Sequence, residues 1–102
     1  MVRITRTIAE CRLGGVSQEQ QFWCKDGRVL TSLPELAVAL QQIDEVTFHY
    51  HSSESRNDFS NWVRDVIGDE KLSRDLLKCT NQAQAAKSVA DRVAWLQCKI
   101  EV

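Results

Sequence analysis

The sequence predicts an α+β domain, mainly α, in which an N-terminal β-hairpin packs on a compact bundle of four to five short helices. Three observations predict it. Asp26-Gly27 lies between two runs of β-favouring residues, a strong short-range hairpin signal. From Ser32 onward apolar residues recur at helical spacing in successive segments, each opened by a capping or acidic residue. The 102 residues, 43% hydrophobic and 26% charged, match an ordinary core-forming chain with room for one core. The chain therefore reads as a single domain, 1–102. Residues 1–21 form a poorly defined N-terminal segment, 22–31 the hairpin and 32–100 the helical part.

In the first segment, "VRITRTIAECRL" is rich in β-branched residues, while Ile4, Ile8 and Cys11 also fall at helical spacing; Gly14 and Gly15 would close either element. An extended strand is the expectation, followed by "VSQEQQ" as a polar loop or turn. A two-residue turn at Asp26-Gly27 places Cys24 opposite Val29 and Trp23 opposite Leu30, so that Phe22, Cys24 and Val29 share one apolar face. Such a hairpin is marginal in water and must rest on something.

Its support is the next segment. Ser32 and Glu35 make a capping box, and Leu33, Leu36, Ala37, Leu40 and Ile43 recur at helical spacing. Pro34 sits in the first turn, where its missing N–H lacks an intrahelical partner anyway. "DEVTFHYHSS" has strand propensity, but Asp44 as N-cap with Glu45 in the first turn favours a short helix, which is the reading adopted. Asn57 or Asp58 caps the next helix, whose stripe is Phe59, Trp62, Val63, Val66 and Ile67, and Gly68 stops it. "DEKLSRDLLK" opens on two acids, pairs Leu72 with Leu76 and ends on Lys78. Thr80 caps the last helix, in which Ala83, Ala86, Val89, Ala90, Val93, Leu96 and Ile100 keep register.

Thirteen basic against fourteen acidic residues give a net charge of −1 with no long block of either sign. Duplex nucleic acid needs a basic face, and none is offered. Arg3, Arg6 and Arg12 read as solvated arginines on a short element in preference to a phosphate-binding arm. No apolar run suits a secretory leader or a membrane span, so the expected compartment is the cytoplasm and the expected partners include neither membrane nor nucleic acid. Cys11, Cys24, Cys79 and Cys98 contain no C-x-x-C pair and are expected as reduced, buried, apolar thiols.

Candidate chemistry centres on "FHYHSSESRNDFSNW". On a strand His49 and His51 would share a face; on a helix, two residues apart is about 200° and they diverge. A metal site would need further ligands such as Asp58, Cys24 or Cys79, and cysteine-histidine catalysis by Cys24 or Cys79 with His51 would need a lowered thiol pKa and an orienting group. The structural reading is preferred: Asn57 and Asp58 satisfy orphan N–H groups, Phe59 and Trp62 drive the helix into the core, and His51 tethers the preceding turn. Trp95 falls off its helix's apolar stripe, beside Arg92 and Lys99, and either the N-terminal segment covers it or it anchors a partner. Trp23 and Arg92 join it as possible interface residues.

"DGRVLTSLPELAVALQQI", "FHYH" and "NDFSNWVRDVIGDEKLSRDL", in that order, resemble a family of small prokaryotic, archaeal and bacterial, domains of unknown function. The pattern runs D-G-R, a leucine-rich E-L helix, F-x-Y-H, N-D-F, W-V and G-D-E-x-L. The match spans about Phe22 to Leu96; Ser73 stands where the pattern has alanine, and residues 1–21 lie outside it. The resemblance implies a shared fold, with His51, Asn57, Asp58, Phe59 and Trp62 as its centre, and no known activity, so it supplies no catalytic residue or cofactor. The functional expectation is a non-enzymatic protein-interaction or regulatory module, able to bind another protein or itself. The alternative is a metal-binding or small hydrolytic domain using His49, His51 and a cysteine.

Overall fold

A computed structural model describes residues 4–53 and 55–101. It is α+β and mainly α: helices α1 (Arg6–Leu13), α2 (Leu33–Gln42), α3 (Glu45–His51), α4 (Asp58–Trp62), α5 (Glu70–Lys78) and α6 (Gln82–Glu101), with strands β1 (Phe22–Trp23) and β2 (Val29–Leu30) paired between α1 and α2. The long α6 packs most extensively on α2 and α1.

The expected N-terminal strand is instead the helix α1. Thr5 Oγ1 accepts the Ile8 N–H at 3.3 Å and Gly14 donates to the Glu10 carbonyl at 3.0 Å, so both ends are capped. An exposed Arg6–Glu10 pair at 2.9 Å adds a few tenths of a kcal/mol, but packing decides: Ala9 is wholly buried. Local β-propensity yields to the tertiary contact. The polar loop beyond it contains a short 3₁₀ turn, Gln18–Gln20. Arg3 lies outside the described residues.

The hairpin forms with its register one residue from expectation, Phe22 opposite Leu30 and Trp23 opposite Val29. The turn has three residues, Lys25 to Gly27. The Gly27 N–H donates to the Cys24 carbonyl at 3.0 Å, Cys24 N–H to the Arg28 carbonyl at 2.9 Å, and Gly27 takes the left-handed region at φ 100°. Such a turn ends on a residue that favours glycine. A one-residue slip exchanges faces, so Leu30 replaces Val29 beside Phe22 and Cys24 in the core, and Trp23 points outward, 68% exposed.

In α2, Ser32 Oγ accepts the Glu35 N–H at 3.4 Å, while Glu35 reaches back one residue further than a regular box, to the Thr31 N–H at 3.0 Å. The cap contributes about 1 kcal/mol. Leu33, Leu36 and Leu40 are completely buried, at roughly 2 kcal/mol each, so burial holds this helix in place. Its C-terminal carbonyls are satisfied from a distance: Gln82 Nε2 donates to Leu40 O at 2.8 Å and Ile43 O at 2.7 Å.

Asp44 caps α3 through the Thr47 N–H at 2.8 Å, and Asn57 caps α4 through the Ser60 N–H at 2.9 Å. After Trp62 the helix widens into a π turn, Val63–Ile67, which ends where Gly68 adopts φ 85°. The α4–α5 contact is closed by two buried serines. Ser60 Oγ donates to the Ser73 carbonyl at 2.8 Å and Ser73 Oγ to the Ser60 carbonyl at 3.0 Å. Ser73, the departure from the resembled pattern, thus meets a hydroxyl partner on α4.

The last helix is capped by Asn81, whose Oδ1 accepts the Gln84 N–H at 2.9 Å; Thr80 instead donates through its N–H and hydroxyl to the Gln84 side chain. Ala83 is exposed, and Ala85 takes its expected place in the core. The thiols also divide: all four are free, but only Cys24 is buried, with Cys79 half-buried and Cys11 and Cys98 exposed. Among the described residues no helix is long and apolar enough to cross a membrane.

Candidate functional site

His49 and His51 fall on opposite sides of α3. His49 is exposed and lies edge-on to Phe48, 5.5 Å between centroids. His51 is 4% exposed, and both of its nitrogens are engaged. The Lys25 N–H donates to Nε2 at 3.0 Å, which makes Nε2 an acceptor; Nδ1 therefore carries the proton and donates to Asp58 Oδ2 at 2.9 Å. Asp58 Oδ1 faces Arg56 Nε at 3.2 Å, and Arg56 also donates to the Tyr50 carbonyl at 2.7 Å.

Around this ring the core is aromatic. Phe59 stacks on Phe22 at 5.3 Å and on Phe48 at 5.8 Å, and Trp62 meets Phe22 edge-on at 5.8 Å. The Trp62 indole N–H donates to the Gln20 carbonyl at 2.8 Å, fastening the segment before the hairpin. Asn57, besides capping α4, points its amide at the last turn of α5, 3.5 Å from Leu76 O. His51, Asn57, Asp58, Phe59 and Trp62 thus meet at one junction of hairpin, α3, α4 and α5.

The Asp58–His51 pair has the outline of two-thirds of a hydrolytic triad, but the nitrogen that would take a nucleophile's proton is occupied by a backbone amide. Cys24, the nearest thiol in the chain to Lys25, has its pKa raised, mainly by burial and further by the Asp26 carboxylate, the opposite of nucleophile activation. Among the described residues no three His, Cys, Asp or Glu side chains are placed to hold one metal ion.

A second constellation lies at the opposite end of the π turn, in a groove of about 1610 Å³ between both ends of α1, the first turns of α5 and the stretch of α6 from Ser88 to Lys99. Its floor is Asp69, the N-cap of α5, with no exposed surface at all. Asp69 Oδ1 accepts the Leu72 N–H at 3.2 Å, and Arg92 grips the carboxylate with two bonds, Nε to Oδ2 at 2.7 Å and an Nη to Oδ1 at 3.0 Å. This fork geometry is the strong, orienting form of the pair. The guanidinium so fixed lies under the Trp95 ring, 4.5 Å from its centroid, and the Lys99 ammonium lies 4.7 Å away. Trp95 remains 40% exposed although Ile4 and Thr5 of the N-terminal segment line the same groove.

Of the expected interface residues, Arg92 and Trp95 share this groove; Trp23 is not among its walls. Sequence reasoning did not single out Asp69, which is 23 residues from Arg92. The available signal was its place directly after the helix-stopping Gly68, where an acid serves as cap. Nor did it join Arg12 to this site: Arg12 comes to 3.6 Å from Asp69 Oδ1.

No protein-family model, curated protein or solved structure matches the chain.

Proposed function

We propose that the chain is a small, non-enzymatic cytoplasmic module of regulatory or scaffolding use that binds another protein, or a second copy of itself, through the groove around Trp95, and that it shares its fold with the prokaryotic domain family its motif order resembles. The observation that carries this is Trp95 itself: a part-exposed indole over an arginine that a buried carboxylate holds rigid. Aromatic and arginine side chains dominate recognition energetics, and a pre-fixed anchor loses less entropy on binding. Nucleic acid and membrane are not the proposed partners.

The test compares the wild-type chain with Trp95→Ala and Trp23→Ala, by light scattering for self-association and by recovery of a protein partner on the immobilised chain. A dimer or partner kept by Trp23→Ala and lost by Trp95→Ala supports the reading. Equal behaviour of both variants and the wild type refutes it. The alternative, a metal-binding or hydrolytic domain built on His49, His51 and a cysteine, would need His51 Nε2 released from Lys25. Excess Zn²⁺ should leave the melting curve unchanged; a clear rise, by mass action, would favour that alternative.

A further inference from the structure

The Asp69 carboxylate serves two guanidiniums. Arg92 takes both oxygens, and Oδ1 also receives the Leu72 N–H, so Arg12 is left with a contact of 3.6 Å, too long for a hydrogen bond. The Arg12 side chain is only 15% exposed and makes no hydrogen bond among the described residues. A guanidinium presents five N–H donors and never loses its charge. Two arginines on one carboxylate therefore leave a part-buried excess of one positive charge, whose donors open toward the groove.

The charge of the surrounding walls has the same sign. They carry six basic and four acidic residues, in a chain whose net charge is −1. Three of the four acids already hold a cation: Asp69 has Arg92, Asp75 has Lys71 at 2.8 Å and Asp91 has Lys87 at 2.7 Å. Glu70 is the remaining carboxylate. Against it stand Arg12, Arg74 and Lys99, none of which has a hydrogen-bonded carboxylate among the described residues.

We propose that this groove is an oxyanion site: Arg12 receives a carboxylate or phosphate group beside Asp69, Arg74 and Lys99 supply further charge, and the apolar or flat body bearing the anion rests against Trp95. The inference rests on the reading of the Trp95 groove as the binding face and specifies the chemistry of what enters it. A fork of parallel N–H groups suits an anion with two oxygens. Lys99, on a flexible stem, can leave the indole face and turn to the anion as the ligand's body replaces it.

The experiment uses the full chain and records melting temperature in sodium chloride, inorganic phosphate, phenyl phosphate and phenylacetate at equal ionic strength. One of the two ring-bearing anions should raise the midpoint by at least about 2 °C over chloride, and which one does so identifies the oxyanion. Inorganic phosphate should give a smaller rise or none. Arg12→Gln should abolish the response, and Trp95→Ala should reduce the ring-bearing anion to the level of inorganic phosphate. If Arg12→Gln fails to fold, the exposed Arg74→Gln and the part-exposed Lys99→Gln must weaken the response instead. Equal midpoints in all four salts, or an undiminished rise in these variants, overturns the proposal. A partner still lost on Trp95→Ala, with no response to any anion, would retire the oxyanion while leaving the binding face itself intact.

Discussion

The backbone N–H of Lys25 donates to Nε2 of His51 at 3.0 Å, across 26 residues of chain. One side chain thereby joins the hairpin turn to the end of α3, and through Nδ1 to the start of α4. His51→Phe keeps the ring's volume and removes both bonds, leaving the Lys25 N–H without its acceptor. It should cost about 1–3 kcal/mol. His49→Ala, two residues away on the exposed side, should stay within about 0.5 kcal/mol of wild type. Urea unfolding of the two variants checks the contrast, and equal losses would contradict the junction described here.

Asp69→Ala removes a helix cap and leaves Arg92 buried without its counter-charge. The expected loss is about 3–5 kcal/mol, dominated by the stranded cation. Adding Arg92→Met to that variant should recover part of the loss, because an apolar side chain does not need the carboxylate. If the double variant is less stable than the single one, the pair is not the source of the cost.

Trp62 can be divided into its two contributions. Trp62→Ala deletes a large side chain packed on Phe22 and should cost about 3–5 kcal/mol. Trp62→Phe keeps most of the apolar surface but lacks the donor to the Gln20 carbonyl, and should cost nearer 1–2 kcal/mol. Hydrogen exchange adds a local readout: amides around Gln20 and Gln21 should exchange faster in Trp62→Phe while those of α2 do not change.

Hydrogen bonds from Thr47, its backbone N–H first, hold the Asp44 carboxyl below its ordinary value of 3.8. The folded state therefore binds this proton less readily than the unfolded chain. The resulting stability is fully present above the unfolded value and disappears as the pH falls through the lower, folded one. Asp44→Asn keeps a good cap without a titrating group. Its unfolding free energy should fall less steeply than wild type on acidification below about pH 4, as followed by denaturant titration at successive pH values.

The thiols should react in the order of their surroundings. Cys11 and Cys98 are exposed, whereas burial pushes the Cys24 pKa up. A disulfide reagent at neutral pH should modify the first two rapidly and Cys24 only on unfolding. Rapid labelling of Cys24 in the native protein would contradict its place on the buried face of the hairpin.

What could be read from the chain was whatever short-range chemistry decides. Ser32 with Glu35, Asn57 ahead of Phe59, and Gly68 at a helix end act within one turn, and each performs the cap or stop its type suggests. The divergence of the two imidazoles follows once α3 is taken as helical. Residues 6–13 were misread because Ile4, Thr5, Thr7 and Ile8 carry β-propensity, while the burial of Ala9 that overrides it depends on α6, far along the chain. The hairpin slipped by one because Asp26-Gly27 suits a three-residue turn as well as a two-residue one. The cationic groove was illegible for a plainer reason: Arg12, Asp69 and Arg92 are spread over eighty residues, and no periodicity brings them together.

The π turn between Trp62 and Gly68 carries a consequence for how the two halves of the molecule are phased. A residue advances an α-helix by about 100°, and a widened turn absorbs one extra residue without breaking the rod. Were the same residues wound as regular α-helix, everything downstream would swing by roughly that angle, carrying Asp69 away from Arg92 and Ser73 away from Ser60. The widened turn thus compensates for the surplus residue, and the grip of Arg92 on Asp69 depends on the angle it keeps.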